Sequence, residues 1–216
     1  MIVSKKILAE FLGTAALLVV VVGSGIMGET LSGGNAAIAL LANSLATGAG
    51  LYALIQTFGP ISDAHFNPVV SLIEWIWKKL KTTDLLKYVF AQIAGAILGV
   101  FVTHVMFGQA ILQLSRHDRG DLRFLLSEAI ATFGLITVIS LSGKRNVEAT
   151  PAAVALYIVG AYWCTSSTSF ANPAVTIARS LSDTFAGILW TGAPAFIVAQ
   201  VIGAALAYWC ASLLSK

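Results

Sequence analysis

The sequence predicts an all-α polytopic membrane protein, with six transmembrane helices plus two re-entrant half-helices in an inverted 3+3 repeat. Three observations carry this. Of 216 residues, 57% are hydrophobic and only 11% charged, less than half the roughly 25% charge of a soluble domain. The charges are also excluded from long stretches: 11–28, 30–62, 88–115, 129–143, 149–178 and 184–215. Several of these reach the ~20 apolar residues that cross a bilayer as helix, the form in which a chain in lipid satisfies its own N–H and C=O groups. Finally, three short motifs occur twice, in the same order. The composition excludes a soluble enzyme, a nucleic-acid binder and a disulfide-stapled secreted domain.

Taken in order, the helices are expected near 7–28, 36–58, 85–107, 122–141, 149–165 and 188–213. The first follows Lys5 and Lys6 with no evident small-residue cleavage site, so it reads as a retained helix rather than a signal peptide. Gly33–Gly34, Gly59–Pro60, Gly108 and Gly143 punctuate the gaps. Two gaps, 61–84 and 166–187, are too long and too apolar for ordinary loops. Each holds an Asn-Pro dipeptide and then about ten helix-compatible residues, 69–77 and 174–181. Ten residues of helix rise about 15 Å, half of the ~30 Å hydrocarbon core, which makes each a re-entrant half-helix.

Basic residues set the orientation. Lys5, Lys6, Lys78, Lys79, Lys81, Lys87, Lys144, Arg145 and Lys216 fall on one side, nine of the thirteen Lys and Arg, and the positive-inside rule makes that side cytoplasmic. Both termini are then cytoplasmic, and the short ends suggest a bacterial inner membrane. The net charge of +3 is accounted for by this topology, and no nucleic-acid partner is expected. Cys164 and Cys210 read as small apolar residues, with Cys164 also a candidate for the outer vestibule. No His, Cys and carboxylate cluster has metal-ligand spacing, so no metal, cofactor or catalytic residue is expected.

The repeat divides the single channel-sized domain into units of about 1–107 and 122–216. Leu8-Ala9-Glu10-Phe11-Leu12-Gly13-Thr14 recurs as Leu126-Ser127-Glu128-Ala129-Ile130-Ala131-Thr132. His65-Phe66-Asn67-Pro68-Val69-Val70-Ser71 recurs as Phe170-Ala171-Asn172-Pro173-Ala174-Val175-Thr176. Ala91-Gln92-Ile93-Ala94-Gly95-Ala96 recurs as Ala199-Gln200-Val201-Ile202-Gly203-Ala204. Three spans per half is an odd number, so the second copy lies upside down. Interrupted segments at matching places in inverted halves mark a midplane site.

Proline suits the first turn of a helix, and the Asn before it can cap that helix through Oδ1 while its NH₂ faces a lumen. The Asn67-Pro68-Val69 and Asn172-Pro173-Ala174 boxes thus offer two donors to a passing oxygen, and two half-helix dipoles aim positive ends at mid-membrane. Val69 is expected to add apolar bulk there. Gly48, Gly95 and Gly203 are expected to permit close helix crossings.

The doubled Glu, Asn-Pro and Ala-Gln-x-x-Gly-Ala motifs resemble the aquaporin and aquaglyceroporin (major intrinsic protein) family, over essentially the whole chain. The resemblance implies passive permeation of water and small uncharged solutes, a lipid-embedded homotetramer with one pore per subunit, and no enzymatic activity. It gives Glu10 and Glu128 the role of bracing the re-entrant loops through their backbone N–H groups, with Gln92 and Gln200 beside them. It places His65 at the cytoplasmic pore mouth. His104 and His117 receive no role.

The resemblance also implies a four-residue selectivity filter, carried by spacing from the two Asn onto Thr47, Gly160, Ser169 and Val175. Val175 stands where the family almost always has Arg, and the other three are small. The opening is therefore expected to be wide, and to lack a fixed charge and strong donor. Asn-Pro-Ala-Val also resembles a bacterial branch associated with arsenic-resistance genes. Glycerol, urea and uncharged metalloid hydroxides such as arsenous acid are the expected permeants, with water. Arg179, one turn beyond Val175, either supplies a displaced charge at the pore mouth or, the preferred reading, pairs with Asp183 or reaches the interface. The competing functions are a water-selective aquaporin, a proton-coupled secondary transporter built on Glu10 and Glu128, and a structural junction protein.

Overall fold

Among the described residues, six helical spans are long and apolar enough to cross a membrane, and two helices are not. The protein is represented by a computed structural model that describes residues 4–145 and 147–214, so that Lys216, used above for orientation, lies outside the described residues. In chain order the elements are α1 (Lys5–Leu31), α2 (Ala36–Ser62), α3 (Pro68–Ile76), α4 (Thr82–Met106), α5 (Leu122–Arg145), α6 (Thr150–Cys164), α7 (Pro173–Arg179) and α8 (Ala193–Leu214), with one 3₁₀ turn at Val147–Ala149. The half-helices α3 and α7 have nine and seven residues, about 14 and 10 Å of rise.

The contacts of the two halves mirror each other. α1 packs on α4 and α2, and α5 packs on α8 and α6; α2 and α6 join the halves. Each half-helix touches both α4 and α8, and the two also meet each other. Small residues set the closest approaches. A Cβ on Gly95 would meet the carbonyl oxygen of Phe11, and one on Gly203 would meet that of Ala129. Glycine is required at both crossings because the obstruction is backbone, which cannot rotate away. Gly48 lies equally close to Val159 of α6.

Burial is inverted relative to a soluble protein. Leu41, Leu45, Phe90, Leu126, Ile130, Leu206 and Trp209 are exposed on the outside, while Glu10, Thr14, Gln92, Glu128, Thr132 and Gln200 are buried. An apolar outer belt needs no partner in lipid, whereas polar groups must face inward and find one another.

Three boundaries depart by four residues or more, one being that of α5, which continues through Gly143 to Arg145. α2 runs through Gly59–Pro60 to Ser62 and ends at Asp63, whose left-handed backbone (φ 66°) donates its N–H to the Gly59 carbonyl. A proline late in a helix removes one N–H without ending the turn. α8 begins at 193 rather than 188, because Gly192 N–H bonds to Leu189 O and Ala193 N–H to Trp190 O in preceding turns.

Candidate functional site

Each half-helix is entered through a strap that bends backward. Asp63, Ala64 and Phe66 before Asn67, and Thr168, Ser169 and Ala171 before Asn172, all have positive φ. They lie at the same three offsets from each Asn. A left-handed non-glycine residue costs roughly 1–2 kcal/mol, so six of them persist only if the surroundings hold them. The holding groups are the two glutamates. Glu10 accepts from His65 N (3.0 Å), Phe66 N (2.8 Å), Ser62 Oγ (2.7 Å) and Gln92 Nε2 (2.7 Å). Glu128 accepts from Phe170 N (2.8 Å), Ala171 N (2.8 Å) and Gln200 Nε2 (2.6 Å). Gln92 and Gln200 also donate to Ser71 and Thr176 of the half-helices, each at 2.9 Å.

Asn67 and Asn172 lock the halves together. Asn67 Oδ1 caps Val69 N at 3.0 Å, and Asn172 Oδ1 caps Ala174 N (3.0 Å) and Val175 N (3.3 Å). Asn67 Nδ2 donates to Ala171 O and Asn172 Nδ2 to Phe66 O, both at 2.8 Å. A carboxamide nitrogen carries two hydrogens, so each Asn keeps one for the lumen. Pro68 and Pro173 open the two half-helices at their first turns.

A cavity of about 960 Å³ passes between the halves. At one end it is lined by Lys6, Asp63, His65, Glu74, Trp77, Lys79 and Glu148; in the middle by Asn67 and Asn172; at the other end by Thr47, Tyr162, Ser169, Val175 and Arg179. Between these bands the wall is aliphatic: Leu17 and Val21 from α1, Leu51 and Ile55 from α2, Leu135 and Ile139 from α5, Val154 and Ile158 from α6. His65 sits at the first end with Nδ1 3.0 Å from Ser71 Oγ and its ring against Tyr88.

Four sequence expectations are corrected. Gly160 is exposed, with open space where its Cβ would lie, and it is not part of the cavity wall. Val154, Ile158 and Tyr162 form the lumen face of α6 at i, i+4 spacing, and the Tyr162 hydroxyl lies 3.3 Å from that of Thr47. Counting back from Asn172 failed because a count across the 165–172 strap does not fix which face of α6 meets the lumen. The usable signal was the repeat itself: Thr47, Leu51, Ile55 and Gly59 line α2 at the same four-residue spacing. Val69 is likewise turned away, buried among Ile73, Ile136 and Ala207. Val70, three residues after Asn67 as Val175 is after Asn172, faces the cavity instead.

The third correction concerns Arg179 and Asp183. Asp183 pairs with Arg116, at 2.7 Å to both Nε and Nη2 and 2.9 Å from its backbone N–H. That N–H and the guanidinium hold the Asp183 carboxyl below the usual carboxylate range. Arg179 remains in the cavity wall, its Nε donating to Ala186 O and its guanidinium carbon 3.4 Å from the centre of the Phe170 ring. Cys164 is exposed and is not part of the wall.

Comparison with known proteins agrees with this geometry. The family model "Major intrinsic protein" matches residues 1–211. The chain is 46% identical to the aquaglyceroporin AqpS of Rhizobium meliloti, over 94% of this chain and 87% of that one. It is 31% identical to the aquaporin AqpM of Methanothermobacter thermautotrophicus, over 94% of each. Its fold matches the crystal structure of the aquaglyceroporin from Plasmodium falciparum with a TM-score of 0.75 at 22% identity, covering 95% and 93% of the two chains. Six crossing helices, two half-helices locked through paired asparagines and a cavity between them therefore have one reading: the chain belongs to the major intrinsic protein family, and is a membrane channel rather than an enzyme.

Proposed function

We propose that the chain is a passive channel for small uncharged polyhydroxylated solutes, with glycerol, urea and metalloid hydroxides such as arsenous acid as its range and water also passing. The observation that carries this reading is the ring of Thr47, Tyr162, Ser169 and Val175. Hydroxyl-bearing Thr47, Tyr162 and Ser169 stand with one aliphatic side chain, and Arg179 lines the same end of the cavity from the last residue of α7. A polyol presents both C–H and O–H surfaces, and such a ring matches both. The ring is narrower than one with glycine at the α6 position, but Tyr162 leans on Thr47 through its hydroxyl and adds a polar edge. The 46% identity to a protein described as an aquaglyceroporin supports the same choice.

The other readings have less behind them. A proton-coupled transporter needs a carboxylate exposed to each side in turn. Glu10 and Glu128 are fully buried outside the cavity wall, each with three or four donors. A water-selective pore needs a narrower and more strongly donating ring than this one. The channel works as a homotetramer in a bacterial plasma membrane with both termini cytoplasmic; the lysine distribution supports the sidedness.

The test is stopped-flow permeability of proteoliposomes holding the wild-type channel or Val175→Arg. The wild type is expected to pass glycerol, urea and arsenous acid well above bare liposomes. The arginine is expected to lower glycerol flux about tenfold, equivalent to ~1.4 kcal/mol of added barrier, and to spare water. Glycerol flux unaffected by Val175→Arg would show that the pore is narrowed elsewhere.

A further inference from the structure

Arg179 is the last residue of α7, and the side chain is only 2% exposed. A buried guanidinium is ordinarily matched by a carboxylate. Here the nearby candidate, Asp183, is taken by Arg116, and no ion pair among the described residues includes Arg179. Its Nε is satisfied by a carbonyl, Ala186 O, and its plane rests on Phe170. The two terminal nitrogens make no hydrogen bond among the described residues, while the side chain lines the cavity.

Two further observations place this charge in a prepared setting. Arg119 approaches the same Phe170 ring at 5.2 Å and is likewise held by carbonyls, Gly187 O and Ser167 O, both at 3.0 Å. The field at this end of the pore is thus built from two guanidiniums hydrogen-bonded to neutral acceptors, with the Glu128 carboxylate as the nearby opposing charge. Ser169 Oγ is buried to 3%, lines the same cavity and has no hydrogen-bond partner.

We propose that Arg179, rooted one helical turn beyond Val175, supplies this channel's fixed filter charge, so that cation rejection does not require an arginine at position 175. This rests on the reading of the Thr47, Tyr162, Ser169 and Val175 ring as the solute filter. Four residues of helix set the Arg179 backbone about 6 Å beyond that of Val175, and the side chain folds back onto Phe170. An arginine within the ring would both narrow and charge it. An arginine one turn out, folded back on Phe170, leaves the ring open while every solute still passes its positive field. That field opposes an entering cation and leaves an uncharged polyol unopposed.

The experiment measures sodium leak and glycerol flux separately on proteoliposomes of the full-length channel. Arg179→Met is the main variant, since its linear apolar side chain still covers Phe170; Arg179→Gln is a second neutral form should the first assemble poorly. Sodium leak is expected to rise about 100-fold, the Boltzmann weight of one unit charge at ~6 Å and an effective dielectric of ~20. Glycerol flux is expected to persist above bare liposomes, so that the ratio of sodium leak to glycerol flux rises at least about tenfold. Arg179→Lys, which keeps the charge, is expected to stay sealed. Val175→Arg combined with Arg179→Met is expected to reseal the pore to sodium while slowing glycerol. An unchanged sodium leak in a neutral variant that still passes glycerol overturns the proposal, as does a leak in Arg179→Lys equal to that of Arg179→Met. Failure of the underlying filter reading shows separately, as glycerol flux unaffected by Val175→Arg.

Discussion

Glu128→Ala is expected to cost about 3–6 kcal/mol and to leave little assembled channel. The carboxylate accepts from Phe170 N, Ala171 N and Gln200 Nε2, and all three donors lose their partner in a site without access to solvent. An orphaned buried donor costs about 1–3 kcal/mol, and total stabilities are about 5–15 kcal/mol. The strap it holds is also the strap that cannot hold itself, because Thr168, Ser169 and Ala171 are left-handed. Once released, Ser169 leaves the ring and Asn172 loses its register against Phe66. Glu128→Gln is expected to cost roughly half as much, since one oxygen still accepts while the carboxamide nitrogen faces a donor. Thermal unfolding in detergent, read alongside glycerol flux, measures both effects. A melting temperature unchanged in Glu128→Ala would mean that the strap is held by something other than this carboxylate.

Gly203→Val is expected to prevent α5 and α8 from closing. The added Cβ would fall on the Ala129 carbonyl oxygen, and overpacking against atoms that cannot rotate costs 1–3 kcal/mol or more. Gly203→Ala makes the argument sharper through its sign. In an open helix interior, Gly→Ala gains up to about 1 kcal/mol, yet here it is expected to destabilise, because even a methyl group meets the same oxygen. Gly160→Ala is the matched comparison, with nothing within 4 Å of its Cβ position. It is expected to leave glycerol flux unchanged and folding no worse. Equal effects of alanine at 160 and 203 would remove the close-crossing account.

The corrections to the sequence reading share one cause. Thr47, Ser169 and Val175 lie in the cavity wall as spacing suggested, because each is tied to a half-helix or to a face that the repeat reproduces. Gly160 was placed by counting residues across a strap, and such a count does not fix which face of α6 meets the lumen. Val69 and Val70 differ by one position on a half-helix, a rotation of about 100°. That rotation decides between the packing of α5 and α8 and the lumen. The partner of Arg179 depended on Arg116, from a loop 63 residues earlier in the chain.

The membrane class, the six spans, the inverted halves and the paired asparagines and glutamates are all determined by the sequence alone. Each rests on local periodicity or on a motif present twice, and hydrocarbon leaves the backbone so few options that hydropathy and a repeat suffice. Which face of α6 meets the lumen, which valine lines it and which acid neutralises which arginine were decided only in the tertiary structure. Those outcomes turn on rotations of a fraction of a helical turn and on competition between loops distant in sequence. Side-chain contacts settle both, and no pattern along the chain records them.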